Sequence, residues 1–257
     1  MITSTSNSQV KQAAALAKRA KERRQTGLFV VEGRKMYEEA PEDWVEKVYV
    51  TEHYIEEYGQ PKGSCPWETV TEDVMRAMAD TQTPQGILAL VRQPRWKMED
   101  VWRGEKPHMI FLETLQDPGN LGTILRAGEG AGLTGVVMNR ETADIFNPKV
   151  IRSTMGSIYR VPFVYVDDLE PAAREAKSRG IRLFAAHLRG ERSYDREDYR
   201  DGCGFLIGNE ARGLSDEAAD LADCWVKIPM LGRVESLNAA VAASVLMYEA
   251  ARQRRNG

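Results

Sequence analysis

Three cysteines and three histidines are few for a chain of 257 residues, and each scarcity excludes a kind of chemistry. Cys65, Cys203 and Cys224 are odd in number and widely spaced, so they match neither a disulfide framework nor zinc-ligand spacing. They read as small apolar residues in a reducing cytoplasm. His53, His108 and His187 have no ligand partner at helical spacing, which leaves no candidate for a catalytic zinc or any other metal. Long apolar runs are missing too, and none approaches the roughly 20 residues a bilayer demands. The start, "MITSTSNSQVKQAAALAKRAKERRQ", is basic but lacks the apolar core of a secretory signal. The strand-like "LFVVEG" that follows so closely favours a folded first element over a transit peptide. There is no internal repeat and no low-complexity tract.

What remains is ordinary globular composition, 42% hydrophobic and 28% charged, on a chain long enough for one large domain or two modest ones. The net charge of −3 argues against nucleic acid until the charge is located. Residues 1–35 hold Lys11, Lys18, Arg19, Lys21, Arg23, Arg24, Arg34 and Lys35 against only Glu22 and Glu32. The next stretches, "YEEAPEDWVEK" and "TEHYIEEYG", are acidic. Such asymmetry fits a phosphate-tracking surface or, more plainly, a solvated helix face.

Periodicity predicts a helix over 7–25, then short strands at 28–33, 45–51 and 85–93 alternating with helices. Residues 1–93 therefore read as a small α/β domain. "PRWKMEDVWRGEKP" (94–107) has a proline near each end and little periodicity, and reads as a linker. Over 108–257 apolar strands begin near residues 108, 135, 161, 181, 204 and 224, with helices between most of them. Continuous apolar strands alternating with helices predict an α/β domain whose parallel sheet is covered on both faces.

"LQDPGNLGTILRAGEGAG" (115–132) offers glycines of the kind a dinucleotide loop uses. In such a loop the glycines follow a strand and open a helix. Here "GEGAG" closes a helix and precedes the strand "GVVMN", so the fingerprint fails on context. The informative part is Asn120-Leu-Gly-Thr-Ile-Leu-Arg126, with Pro118 and Gly119 making a turn and Asn120 as the expected N-cap. Arg126 would then stand over the C-terminal edge of the sheet, where α/β proteins bind ligands.

Further stretches follow in order: "FNPKVIRSTMGSIYRVPF", with Thr154 and Gly156, then "FLIGNEARGLSDE", "VKIPMLG" and "ESLNAAVAAS". Together with "NLGTILR" they resemble the three motifs of the SpoU (TrmH-like) RNA ribose 2′-O-methyltransferases, within the SPOUT superfamily. The resemblance runs almost continuously over 108–254, and one departure is Thr154, where the second motif often has serine. The region before it resembles the RNA-substrate-binding domain, of a ribosomal-protein-like fold, often attached ahead of this catalytic domain.

The resemblance implies a parallel-sheet domain with a deep trefoil knot, S-adenosylmethionine as cofactor, and a homodimer formed through the methyltransferase domain. It implies cofactor contacts at Gly208, Ile228 and Leu237, although plain core packing would also suit the last two. At the reacting hydroxyl it implies Arg126, assisted by Asn120, Glu210, Ser236 and Asn238. A guanidinium stays charged in proteins, so a phosphate clamp and alkoxide stabiliser is a sounder role for Arg126 than general base. Asn120 would orient Arg126 or the ribose, and Glu210 would balance positive charge and order its loop. Ser236 and Asn238 would bind substrate or cap the last helix. Lys11, Lys18, Lys21, Arg23 and Arg24 are expected on the RNA. Structured RNA, 23S ribosomal RNA foremost, is the expected substrate; transfer RNA, or a non-catalytic RNA-binding role in ribosome assembly, are the alternatives.

Overall fold

The structure is a computed structural model that describes residues 1–256. In chain order it runs α1 (Ser8–Lys18), α2 (Ala20–Thr26), β1 (Leu28–Glu32), α3 (Arg34–Glu38), β2 (Val45–Val50), α4 (Glu52–Tyr58) and β3 (Trp67–Thr69). There follow α5 (Glu72–Met78), β4 (Ile87–Arg92), α6 (Met98–Val101), β5 (His108–Leu112), α7 (Pro118–Gly130), β6 (Gly135–Asn139) and α8 (Pro148–Thr154). The chain ends with β7 (Phe163–Val166), α9 (Leu169–Ser178), β8 (Arg182–Ala186), β9 (Arg192–Ser193), β10 (Cys203–Ile207), α10 (Asp216–Asp220), β11 (Cys224–Lys227) and α11 (Ala239–Asn256). Among the described residues no helix is long and apolar enough to cross a membrane.

Two compact units form, and neither is continuous in sequence. One comprises Met1–Arg95 with Asp144–Tyr159; the other comprises Trp96–Ala143 with Arg160–Gly257. This differs from the expected division into 1–93, a linker at 94–107 and a domain at 108–257 in two places. The linker segment folds: Asp100 caps the single turn of α6 by accepting Lys97 N–H at 2.7 Å, and Val101 and Trp102 are buried. Gly135 makes room for it, since a Cβ there would lie 2.3 Å from Val101 Cγ1. The segment 144–159, which carries the second motif, belongs to the smaller unit.

The smaller unit holds a four-stranded sheet in the order β1-β4-β2-β3, antiparallel except for the β2–β3 pair. Alternate residues of a strand face opposite sides. Val30, Tyr49, Leu88 and Leu90 pack with Val10, Leu16, Val74, Met75 and Met78 from α1 and α5. On the other side lie the equally buried Phe29, Val31, Val48, Val50, Ile87 and Ala89. Helix α3 and the segment 144–159 cover that face. Helix α8 packs on β1, Phe146 meets Phe29 at 5.0 Å, and the Tyr159 hydroxyl donates to Met36 O at 3.0 Å. The helix expected over 7–25 is broken at Arg19, which is extended at φ −124°, ψ 112°.

The larger unit is a seven-stranded sheet, parallel throughout, in the order β7-β6-β5-β10-β8-β11-β9. On one face Met109, Phe111, Leu183 and Leu206 pack with Leu169, Ala173 and Ala176 of α9 and with Ala218 and Ala219 of α10. Helix α11 packs on β10 and α7, burying Ala243, Leu246, Met247 and Ala250, while α7 buries Leu121, Ile124 and Leu125. Each such leucine or isoleucine taken from water is worth about 1.5–3 kcal/mol. The predicted strands match to within a few residues at their ends; β3 and β9, three and two residues long, were not foreseen.

Candidate active site

Strands β5 and β10 are parallel neighbours, so their C-terminal ends deliver residues 113–117 and 208–214 side by side. Glu113 N–H still donates to Ile207 O at 2.9 Å, and Glu113 then holds Ser215, whose N–H donates at 2.8 Å and whose hydroxyl lies 2.6 Å away. Helix α7 begins earlier than expected. Pro118 occupies its first turn with φ preset for the helix, and Asp117 is the cap, accepting Asn120 N–H at 2.8 Å. Asn120 is therefore not the N-cap, and its side chain is left for other work.

That work joins three segments far apart in sequence. Glu210 accepts Asp117 N–H at 2.8 Å, Gln116 N–H at 3.1 Å and Asn120 Nδ2 at 3.0 Å. A carboxylate can only accept, so Asn120 must turn its amide nitrogen to Glu210 and its oxygen away. That oxygen accepts Asn238 Nδ2 at 2.9 Å, and Asn238 Oδ1 in turn accepts Ala240 N–H and Val241 N–H at the start of α11. Burial tends to raise the Glu210 pKa, but the Asp117 N–H, the Asn120 amide and the Gln116 N–H outweigh it and hold the carboxyl below its ordinary range. Glu210 thus orders its loop through amide donors, not by balancing a cation.

The remaining motif residues lie on separate segments. Arg126 is exposed on α7. Six residues along a helix put it about 120° around the axis from Asn120. The Asn120 side chain hydrogen-bonds Glu210 and Asn238 and makes no such bond to Arg126. Ser236 is exposed and lines the cavity below, but Asn238 and not Ser236 caps α11. Thr154 is buried, and its hydroxyl donates to Ile151 O at 2.7 Å within α8.

Beside this chain of hydrogen bonds lies a cavity of about 730 Å³, formed by residues 186–189, 207–214, 226–230 and 235–237 with Ala239, Ala242 and Leu246 of α11. Gly208, Ile228 and Leu237 all line it, as does Glu210. The size falls in the range of roughly 300–1,000 Å³ usual for small-molecule sites. Gly208 is fixed by close approach: a Cβ there would lie 2.1 Å from Gly213 C, because Asn209 and Gly213 close a tight turn over it. Apolar Ile207, Leu214, Val226 and Leu246 form much of the wall, with charged Arg189, Arg212, Lys227 and Glu235 also lining it. His187 was left unassigned by the sequence. It lines the cavity, lies 4.5 Å from the Trp225 ring, and accepts Arg189 N–H at 3.1 Å. Burial and then the Arg189 charge push its pKa down.

In the smaller unit Lys11, Lys18, Lys21 and Arg24 are exposed, as an RNA-facing role needs. Arg23 is not: it is 3% exposed, and its guanidinium is fully engaged. Its Nε and Nη2 lie 3.0 and 2.7 Å from Asp144 Oδ2, while Nη1 donates to Leu16 O and Ala17 O at 2.7 and 3.2 Å. A guanidinium so held cannot reach a phosphate, and Arg23 is a structural residue.

Two known families match separate parts of the sequence. Residues 107–248 match the SpoU rRNA Methylase family, and residues 7–89 match the MRM3-like substrate binding domain. The 23S rRNA (guanosine(2553)-2′-O)-methyltransferase RlmP of Bacillus subtilis is 31% identical over 235 residues, spanning 89% of this chain and 90% of its own. An AdoMet-bound rRNA methyltransferase from Sinorhizobium meliloti superposes with a TM-score of 0.87 at 30% identity, covering 98% of this chain and 97% of its own. The SpoU methyltransferase AviRb from Streptomyces viridochromogenes gives 0.87 at 27% identity, covering 98% and 99%. A family match over more than half the sequence, with a relative 31% identical across most of both chains, places this chain in the SpoU rRNA methylase family.

Proposed function

We propose that this RNA methyltransferase transfers a methyl group from S-adenosylmethionine to a ribose 2′-hydroxyl of structured RNA, with 23S ribosomal RNA as the substrate class. The observation that carries the proposal is the double placement of Glu210. It lines the cavity and also fixes the first turn of α7, whose next turns present the exposed Arg126. A cofactor seated in the cavity and a polyanion meeting Arg126 would then share one rim. The family and the near-complete span of the rRNA methyltransferase relatives support ribosomal over transfer RNA.

The cavity suits the cofactor on chemical grounds. Its turns offer backbone N–H and C=O groups for an adenine edge, beside apolar walls from Ile228 and Leu237, and its volume is ample. When bound, S-adenosylmethionine supplies an electrophilic methyl group on a sulfonium. Arg126 would clamp a phosphate next to the target ribose and stabilise charge developing on the 2′-oxygen. It remains protonated throughout, so the hydroxyl proton leaves to phosphate or water. Asn120 and Asn238 would hold α7 and α11 in register at the rim, and Ser236 would hydrogen-bond the substrate. Lys11, Lys18, Lys21 and Arg24 would track phosphates on a folded RNA. A cytoplasmic homodimer and knotted threading of the cavity loops belong to the same reading; Val241 and Tyr248, 47% and 51% exposed on α11, support the dimer.

The test is a map of 2′-O-methyl groups on RNA from a deletion strain and its parent. One 23S ribose that loses its methyl and regains it in vitro with purified protein is expected. A change confined to transfer RNA, or to a base, would overturn the substrate or the reaction.

A further inference from the structure

The turn that leads into α7 is built on a backbone conformation its residue does not favour. Thr114 sits at φ +54°, in the left-handed region. Glycine adopts that region freely and asparagine often, but a side chain branched at Cβ is a genuine outlier there. Such a conformation persists only where its surroundings over-determine it. Here they do. Thr114 N–H donates to Asn139 Oδ1 at 2.8 Å, Asn139 Nδ2 donates to Thr114 Oγ1 at 2.9 Å, and Asn209 Nδ2 donates to Thr114 O at 2.9 Å. Every polar group of Thr114 is thus taken by two side-chain amides. Asn139 ends β6 and Asn209 follows β10, the two strands that flank β5. The Asn139 amide is itself pinned, because its oxygen also accepts the Thr142 hydroxyl at 2.9 Å.

The consequence is felt three residues on. Leu115 is buried, and its C=O accepts Ala143 N–H at 2.8 Å. The next two N–H groups, of Gln116 and Asp117, are those that meet Glu210. Rotating Thr114 out of the left-handed region would swing both away from that carboxylate and carry the start of α7 with them. Asn139 lies outside the cavity lining, and its side-chain hydrogen bonds go to Thr114 and Thr142 and not to Asn120, Arg126 or Asn238. We infer that Asn139 is a positioning residue for methyl transfer: it locks Thr114 in the left-handed conformation that aims the 115–117 turn at Glu210 and sets the position of α7. The inference deepens the reading of this site as the methyl-transfer centre and rests on it.

The mechanism gives an unusual rescue. Asn139→Ala removes two of the three tethers, and the turn relaxes; misplacement on this scale lowers turnover on the order of 10- to 100-fold. Cofactor affinity and KM for RNA should stay within about twofold, since Asn139 is outside the cavity and away from the basic surface. Adding Thr114→Gly to Asn139→Ala should recover most of the lost kcat, because glycine holds φ +54° without tethers. Asn139→Asp keeps acceptors for both the Thr114 N–H and its hydroxyl, so it should remain close to the parent. If Asn139→Ala turns over within twofold of the parent, or if Thr114→Gly worsens it, the inference is wrong. Amide exchange over residues 113–121 gives a readout independent of catalysis: faster in Asn139→Ala, restored in Asn139→Asp. Unchanged exchange in Asn139→Ala refutes the positioning role whatever the activity. A parent protein that binds S-adenosylmethionine yet methylates no ribose refutes the reaction instead, and leaves the exchange result to judge the turn. Should Asn139→Ala fail to fold, the kcat of Asn139→Asp decides: a drop beyond about tenfold with cofactor affinity intact overturns the inference.

Discussion

Arg23 supplies the sharpest test of how the smaller unit is held together. Asp144→Ala would leave a guanidinium that is 3% exposed with two of its donors unmatched. Breaking a fully buried ion pair by removing one partner costs about 3–5 kcal/mol. Two features reduce that here. The Asp144 side chain is 27% exposed, and Arg23 keeps the carbonyls of Leu16 and Ala17. The expected loss is therefore about 2–3 kcal/mol, or a fall in melting temperature of roughly 5–10 °C for a protein of this size. The double variant Arg23→Met with Asp144→Ala removes both charges and keeps most of the buried volume, so it should lose less than Asp144→Ala alone. Urea unfolding followed by circular dichroism, with RNA filter binding on the same preparations, decides between this account and a phosphate-binding Arg23. If Arg23→Met weakens RNA capture while the unfolding curve stays put, the residue is on the RNA and the structural argument fails. If Asp144→Ala costs under about 0.5 kcal/mol, the pair is no better than a surface one.

Three other outcomes follow from the same structure. Arg126→Ala should lower the rate of methyl transfer on the order of 10²–10³-fold with cofactor affinity unchanged by calorimetry, and Arg126→Lys should recover little of it. Replacing Lys18, Lys21 and Arg24 with glutamine should flatten the log–log salt dependence of RNA binding by about two to three, with no change in melting temperature; parallel lines for variant and parent would make those charges idle. His108 is fully buried, and burial, then the nearby Arg254 charge, push its pKa down from 6.5 to about 4. The unfolded chain therefore binds the extra proton first as pH falls, so stability present above pH 6.5 is lost progressively toward pH 4, by about 3 kcal/mol in all. His108→Phe should remove that slope in unfolding free energies measured between pH 7.5 and 5, and an unchanged slope would show that another group carries it.

Much of this architecture was readable in the sequence because its signals are local. The strands of the larger unit are uninterrupted apolar runs, and "GEGAG" does end a helix, with Gly132 at φ +77° in the turn that follows. The cap of α7 was also legible, since Asp117-Pro118 is an N-cap followed by a proline suited to the first turn, although Asn120 is an equally good cap by residue type. The break at Arg19 carries no glycine or proline, so nothing local announced it. Burial of Arg23 depends on Asp144, 121 positions away. The site divides in the same manner. Asn120, Glu210 and Asn238 could be nominated one by one, but their junction depends on β5 lying next to β10. Thr114 offered no signal, because its residue type argues against the conformation it adopts.

The two-piece construction of the smaller unit has a consequence during synthesis. A ribosome delivers Met1–Arg95 first, and with it a sheet whose Phe29, Val31, Val48 and Ile87 lack part of their cover. The piece carrying α8, Phe146 and Tyr159 emerges only after the whole of 96–143 has been made. At roughly 5–20 residues per second the nascent chain spends about 3–13 s in that state. During those seconds it presents an apolar surface that a chaperone would recognise. The finished unit also cannot be lifted out as an N-terminal fragment. A transplant of this module onto another catalytic domain would have to carry 144–159 with it, inserted between the recipient's own strands.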